Sequence, residues 1–415
     1  MKLFIAAAPL FNSEMAVEAY RLKYDDSQKI FGLSADYTAL DGAMRTPGLD
    51  LVKSVGVEPF TGGKKLFVDV NHYQIMAGAL EDGSIEPESI VCVLNKDFLF
   101  DENLLRMCRG LKLKGFAFAI EGLIYSRDFA PFFEIADFTA YKHQTAVAWN
   151  GLFTVSGRLP YMRYIIGGLT DNDLFESVRD IPNTWFEGAF FTKPYTKGER
   201  RLSPLKANYL RLLKLVGDES FEIYEVARVV QTDAALSLYL LRYINSAGMG
   251  LSQKVNSISQ AVALLGIDET RKWIMVVVST SLAEDKPGEI TRLSLVRAKF
   301  AENLAGLFGL KGHGSRLFLM GLFSLIGVVM DMPIHEAIEE ISVEGEMKEA
   351  LVYQTGLYAG VLKLVYFYER ADWAGVSYIT ITEGVDAGGV NDAYIDALKW
   401  YRDMLEGMKK SIISM

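Results

Sequence analysis

Three carboxylates in the first third of the chain stand beside short apolar runs. Glu18 follows Met15-Ala16-Val17, Asp69 closes Lys65-Leu66-Phe67-Val68, and Glu121 closes Gly115-Phe116-Ala117-Phe118-Ala119-Ile120. Carboxylates gathered at strand tips can hold a hard cation such as Mg²⁺ or Mn²⁺, or they can be satisfied by water alone. The rest of the chemical inventory is thin. The two cysteines, Cys92 and Cys108, lie in apolar surroundings and imply no disulfide framework, in keeping with a reducing cytoplasm. His72, His143, His313 and His335 have no ligand-like spacing and read as ordinary polar side chains. Gly62-Gly63, Gly312-His313-Gly314 and Gly388-Gly389 are turn signals and do not make a phosphate loop.

The elements that must position these groups fall into two halves. Up to Pro194, strand-like runs (Leu3–Ala8, Val17–Tyr24, Lys65–Val70, Ile90–Leu94, Phe116–Ile120, Phe138–Tyr141, Tyr161–Ile166, Trp185–Phe191) alternate with helical ones such as Glu102–Lys114 and Asp171–Arg179. Near-continuous apolar strands between helices predict a parallel sheet covered on its outer face, and eight of them predict a closed βα barrel of the TIM-like kind. A charged, proline-bracketed stretch follows, and beyond it nearly everything is helical. The expected division is a barrel over 1–194, a linker over 195–204 and an all-α domain over 205–415. In the second half, Thr232 or Asp233 can cap a helix that runs to Gly248, and Ser257 or Ser259 can cap one that stops at Gly266, which makes a helical hairpin. Residues 391–415 predict a terminal amphipathic helix with Tyr394, Leu398, Tyr401 and Leu405 on one face.

Charge and hydropathy narrow the function classes. The 415 residues carry a net charge of −9, which argues against a chain-wide field for nucleic acid or anionic lipid, and no basic-aromatic interleaving marks a nucleic-acid groove. The run Leu317 to Met330 is shorter than the roughly 20 residues that span a bilayer and predicts a buried helix. The apolar N-terminus predicts a buried first strand in preference to a signal peptide, because its basic region is a single lysine.

The wording of the helical hairpin is more specific than its periodicity. Asp233, Leu236-Ser237, Leu240-Leu241-Arg242, Asn245-Ser246-Ala247 and then Leu264-Leu265-Gly266 resemble the HDOD family, a helical domain related to HD-type phosphohydrolases. An HD enzyme holds its metals with an adjacent His-Asp pair. Here Gly321-Leu322-Phe323-Ser324-Leu325-Ile326-Gly327 places Ser324 and Leu325 where that pair would stand, a departure that the HDOD resemblance implies.

The first half resembles the EAL family, barrel phosphodiesterases that hydrolyse cyclic di-GMP. The resemblance rests on Val17-Glu18-Ala19-Tyr20, on the strands closing at Asp69 and Glu121, and on Phe186-Glu187-Gly188-Ala189-Phe190-Phe191-Thr192-Lys193-Pro194. It implies a two-metal site in which Glu18, Asp69 and Glu121 are the surviving ligands. It also implies losses: Leu22 in place of a phosphate-binding Arg, Cys92 in place of a metal-binding Glu, Ala140 in place of the catalytic Lys, and Leu169 in place of a late-strand Glu. Thiol is a poor partner for Mg²⁺, and the hydrolysis needs a complete ligand cluster and a water-positioning group. The expectation is therefore a cytoplasmic, non-catalytic regulatory protein of signal transduction with no cofactor. Its expected partners are other signalling proteins, with a homodimer allowed and no membrane or nucleic-acid contact. The alternative is a residual phosphodiesterase or cyclic di-GMP sensor that holds Mg²⁺ or Mn²⁺ weakly at Glu18, Asp69 and Glu121.

Overall fold

The computed structural model describes residues 4–24, 47–94, 101–122, 130–143, 161–194, 209, 212–213, 227–228, 230–231, 234–245, 254–341, 343 and 345–413. Two compact units divide the chain: Met1–Phe191 with Phe367–Trp373, and Thr192–Tyr366 with Ala374–Met415. The expected linker over 195–204 lies outside the described residues.

The first unit is built on eight strands: β1 (Ile5–Phe11), β2 (Val17–Tyr24), β3 (Lys65–Asp69), β4 (Ile90–Leu94), β5 (Ala117–Glu121), β6 (Phe138–Lys142), β7 (Arg163–Leu169) and β8 (Thr184–Gly188). They close into a barrel in sequence order. Neighbours from β2 to β8 are parallel, as in the first pair Ala19↔Lys65, but β1 runs antiparallel to both β2 and β8. The expected closed barrel is present, and its parallel sheet gives way to antiparallel pairing at β1 for a local reason. Only five residues turn the chain between β1 and β2, closed by Asn12 N donating to Ala16 O at 2.9 Å, and so tight a connection can join only antiparallel strands.

Each strand contributes to one buried cluster, formed by Leu10, Ala19, Phe67, Val91, Val93, Ala119, Phe138, Ile165 and Trp185 with Ala117 and Ala140 against it. This set marks the inward face. Because side chains alternate along a strand, the next inward positions toward the C-terminal ends are Arg21, Asp69, Glu121, Lys142, Gly167 and Glu187. The outer face carries α1 (Pro47–Val55), α2 (Glu58–Thr61), α3 (His72–Met76), α4 (Glu102–Leu113) and α5 (Asn172–Glu176). Asp101 and Asp171 start α4 and α5 by accepting from Leu104 N and Leu174 N, at 2.8 and 3.0 Å.

The second unit is helical. Its elements include α6 (Ala234–Ile244), α7 (Ile258–Leu282), α8 (Gly288–Leu304), α9 (Gly314–Phe323), α10 (Ile326–Met330) and a terminal α11 (Ala387–Ile413). Ser257 caps α7 by accepting from Gln260 N at 3.2 Å. Gly266 stops the first part of this helix as expected. Its non-helical φ 76°, ψ 172° makes a kink, and a second helical part of α7 follows. The stretch Leu317 to Met330 is buried, but as two helices with a break at Ser324-Leu325. No single helix among the described residues is long and apolar enough to cross a membrane. On α11, Tyr394 and Leu398 are buried, and the Tyr394 ring meets Phe300 of α8 edge-on.

Candidate functional site

The inward layer above the barrel core is charged, and it centres on a residue the sequence reading passed over. Arg21 of β2 directs one terminal nitrogen, Nη2, at two carboxylates, Asp69 of β3 at 3.3 Å and Glu121 of β5 in a shorter contact. Its other terminal nitrogen lies 3.9 Å from Glu187 of β8, which also pairs with Lys23 Nζ at 2.7 Å. The side chain of Arg21 is 12% exposed, against 27% for Asp69 and 34% for Glu121, so the cation lies deeper than the two acids it bridges. Burial alone lowers the guanidinium's proton affinity, but the fields of Glu187, Asp69 and Glu121 outweigh it and raise the pKa. Arg21 is a permanent cation.

The expected trio is therefore not a trio. Asp69 and Glu121 meet, whereas Glu18 lies at the other end of the barrel. Ala19 pairs with Lys65, the first residue of β3, so Glu18 is level with the strand starts and points to solvent. It accepts from Asn12 Nδ2 at 2.8 Å and borders a cleft of about 500 Å³ with Arg163, Arg179 and Asn183.

Two of the four expected losses also fall outside the mouth. Leu22 faces outward, where a Cβ on Gly48 of α1 would come within 3.3 Å of it. Cys92 lies between the inward Val91 and Val93, and so on the outer face, with Cys108 of α4 close enough to perturb it. Ala140 does face inward. Leu169 is fully buried at the tip of β7, past an irregularity in its pairing with β8. A register slip on an alternating strand moves a side chain to the opposite face, and motif wording alone does not set the register. The signal that was available is the alternation Val17, Ala19, Arg21, Lys23 along β2.

A divalent metal fits this layer poorly. Asp69 and Glu121 converge on one point, and Arg21 Nη2 already occupies it. At an effective dielectric of about 20, a divalent ion roughly 4 Å from a guanidinium is repelled by about 8 kcal/mol. Among the described residues no group of three or more His, Cys, Asp or Glu side chains is arranged to hold a metal ion. Lys142 reaches the same layer but is exposed, and Lys23 is committed to Glu187.

In the helical unit, Ser324 accepts from Nη1 of the buried Arg297 at 2.9 Å and donates to Gly321 O at 2.6 Å. The Arg297 guanidinium lies 4.9 Å over the ring of Tyr366, and Leu325 is buried. Leu236 is core, while Leu241 and Arg242 are half-buried. Ser237 donates to Val230 O at 2.8 Å. Asn245 ties the α6 terminus to the following loop, donating to Leu241 O and Val255 O and accepting from Val255 N at 2.7 to 2.8 Å. Asp233 and Ser246 lie outside the described residues. His313 meets the Tyr358 hydroxyl at 2.8 Å and His143 meets Ser177 at 3.1 Å, both as ordinary polar contacts.

Residues 202–355 match the family model of the HDOD domain. Over 409 residues the chain is 27% identical to a protein of Vibrio cholerae named cyclic di-GMP phosphodiesterase CdgJ, covering 97% of this chain and 93% of that one. It is likewise 27% identical over 419 residues to YuxH of Bacillus subtilis, covering 98% and 100%. Among solved structures it is similar to Bacillus subtilis YkuI, a protein with an EAL domain in complex with cyclic di-GMP and calcium, at 15% identity and TM-score 0.35 over 48% of this chain and 57% of that one. A standalone EAL protein of Vibrio cholerae O395 is similar at 15% identity and TM-score 0.34, over 49% and 96%.

Proposed function

We propose that this chain, a closed eight-stranded barrel followed by an HDOD domain, is a non-catalytic signal-transduction protein that acts in the cytoplasm by binding other signalling proteins. The observation that carries this reading is the Arg21 guanidinium held between Asp69 and Glu121. Metal-assisted hydrolysis of a phosphodiester needs a cation that can polarise the phosphate and bind the attacking water. A guanidinium supplies charge but no open coordination position, and its raised pKa bars it from acting as a base. Across the barrel the inward positions of β6 and β7 are Ala140, Gly167 and, level with Gly167, the exposed Lys142, so no carboxylate stands there to hold a metal or its water.

The full-length similarity to a protein named as a cyclic di-GMP phosphodiesterase favours a second reading, in which the barrel still binds or hydrolyses that dinucleotide. Hydrolysis separates the two. The purified full chain, incubated with cyclic di-GMP and Mg²⁺ or Mn²⁺, is expected to give no linear product above a no-protein control by chromatography. Metal-dependent turnover that disappears in Asp69→Asn would sink the non-catalytic reading.

A further inference from the structure

We infer that Arg21 is the resident cation of the barrel mouth, standing where a divalent metal would otherwise be held, so that changing Arg21 alone opens a site for Mn²⁺ or Mg²⁺. The inference deepens the non-catalytic reading and rests on it.

The geometry is that of an ion site with a tethered occupant. Two carboxylates from different strands, Asp69 and Glu121, aim at a single nitrogen instead of spreading over the guanidinium fork. Arginine–carboxylate pairs are frequently bidentate, with two parallel N–H···O bonds, and neither Asp69 nor Glu121 is held that way. Here Nε is buried and makes no hydrogen bond, so one donor is left unsatisfied while another is shared. The arrangement suits a point charge better than a fork. Glu187 is 14% exposed and bound by Lys23, which leaves it beside the site as a third acid.

Access and room are also present. Asp69 and Glu121 are more exposed than the cation they hold, so the convergence point is reached from solvent. The inward side chains opposite include the small Ala119, Ala140 and Gly167, the inward Lys142 is exposed at the rim, and a Cβ placed on Gly167 would come no closer than 3.8 Å to a neighbour. Mg²⁺ and Mn²⁺ bound by one or two carboxylates keep several waters, so the site needs no complete protein cage. Because Arg21 is covalently part of β2, no solvent ion competes with it at ordinary concentration.

The test uses the full chain and Mn²⁺, with binding read from loss of the free-ion electron paramagnetic resonance signal and from the melting temperature. Wild type and Arg21→Lys are expected to take up no Mn²⁺ at this site and to melt at the same temperature with or without millimolar Mn²⁺. Arg21→Gln and Arg21→Glu are expected to bind one equivalent, at least tenfold more tightly than wild type, and to melt higher when it is present. Adding Asp69→Asn to either is expected to abolish the uptake. A variant too unstable to fold alone is expected to refold when Mn²⁺ is supplied. Equal uptake by wild type and variants overturns the inference, and so does failure of both Arg21→Gln and Arg21→Glu to bind or be rescued. Cyclic di-GMP hydrolysis by wild type overturns the non-catalytic reading, whereas an inactive wild type whose variants ignore Mn²⁺ overturns only this inference.

Discussion

Asp69 and Glu187 face the same guanidinium, yet their proton affinities move in opposite directions. For Asp69, burial together with the like charge of Glu121 outweighs Arg21 and Lys23, and the pKa is raised. For Glu187, burial also raises it, but Lys23 and Arg21 together outweigh burial and bring it below the ordinary value. The signs follow by linkage. A carboxylate lowered on folding adds stability that is present above its unfolded pKa of about 4.3 and is lost as pH falls through the folded value. A raised one works the other way, favouring the fold most when protonated and less as pH rises through its folded value. Glu187→Gln is therefore expected to cost about 1–3 kcal/mol at pH 7 and to flatten the acid limb below about pH 4. Asp69→Asn is expected to cost under about 0.5 kcal/mol at pH 7, or to stabilise. Urea denaturation of both variants at pH 7 and pH 4 checks the pair, and a larger loss at pH 7 for Asp69→Asn contradicts it. Glu18→Gln, exposed and remote from Arg21, is expected to move stability by less than about 0.5 kcal/mol in the same assay. Elsewhere in the barrel, burial pushes the Cys108 thiol up to about 12. Both cysteines are buried and should react with a thiol reagent only after denaturation.

At the scale of elements, two close approaches set the geometry. The β1–β2 turn is shaped by Asn12, whose Oδ1 accepts from Glu14 N and Ala16 N at 2.9 and 3.0 Å, and Met15 sits at φ 61°, where a side chain costs energy. Asn12→Ala is expected to cost about 1–2 kcal/mol in barrel stability and Met15→Gly to add up to about 1, both read from chemical denaturation. In the helical unit, a Cβ on Gly321 would fall 2.5 Å from Arg297 O. Gly321→Ala should push α9 off α8 at a cost of about 1–3 kcal/mol, and the contact between Arg297 and Ser324 should loosen with it. What was legible in the sequence follows the same division. All eight strands were readable as apolar runs, because burial on both faces leaves a continuous signature. Which face each residue takes was not, since that depends on register. Glu18 and Arg21 are three residues apart, an odd spacing that turns them to opposite faces of β2. The antiparallel direction of β1 is written only in the length of the turn at 12–16, because strand composition does not distinguish parallel from antiparallel pairing here.

Across the whole molecule, the two units share a feature that neither motif announces. The hairpin wording from Asp233 to Ser246 falls inside the matched HDOD range, and its described members serve packing and loop anchoring. In each unit an arginine guanidinium lies beside a position where the family resemblance leads one to expect a metal ligand: Arg21 beside Asp69 and Glu121, and Arg297 beside Ser324. Ligands that bind only the folded state stabilise it by mass action. If neither unit holds metal, EDTA and added Mn²⁺ should leave every melting transition of the full chain unmoved in scanning calorimetry. A drop on chelation would locate a metal in whichever unit it affects.

The direction of β1 bears on how the chain is made. Of the barrel strands β1 is made before the others and can pair with β2 as soon as that emerges, but its other edge waits for β8, with Phe11 meeting Phe186 only after roughly 175 further residues. At about 5–20 residues per second, that edge stays unpaired for some 10–35 seconds of synthesis. During that interval the nascent hairpin presents Leu10 and Phe11, both buried in the finished barrel, to any chaperone or neighbouring chain that can add a strand. Closure is thus the last event of barrel synthesis, and the stretch around Phe186 decides whether the earliest residues are ever covered.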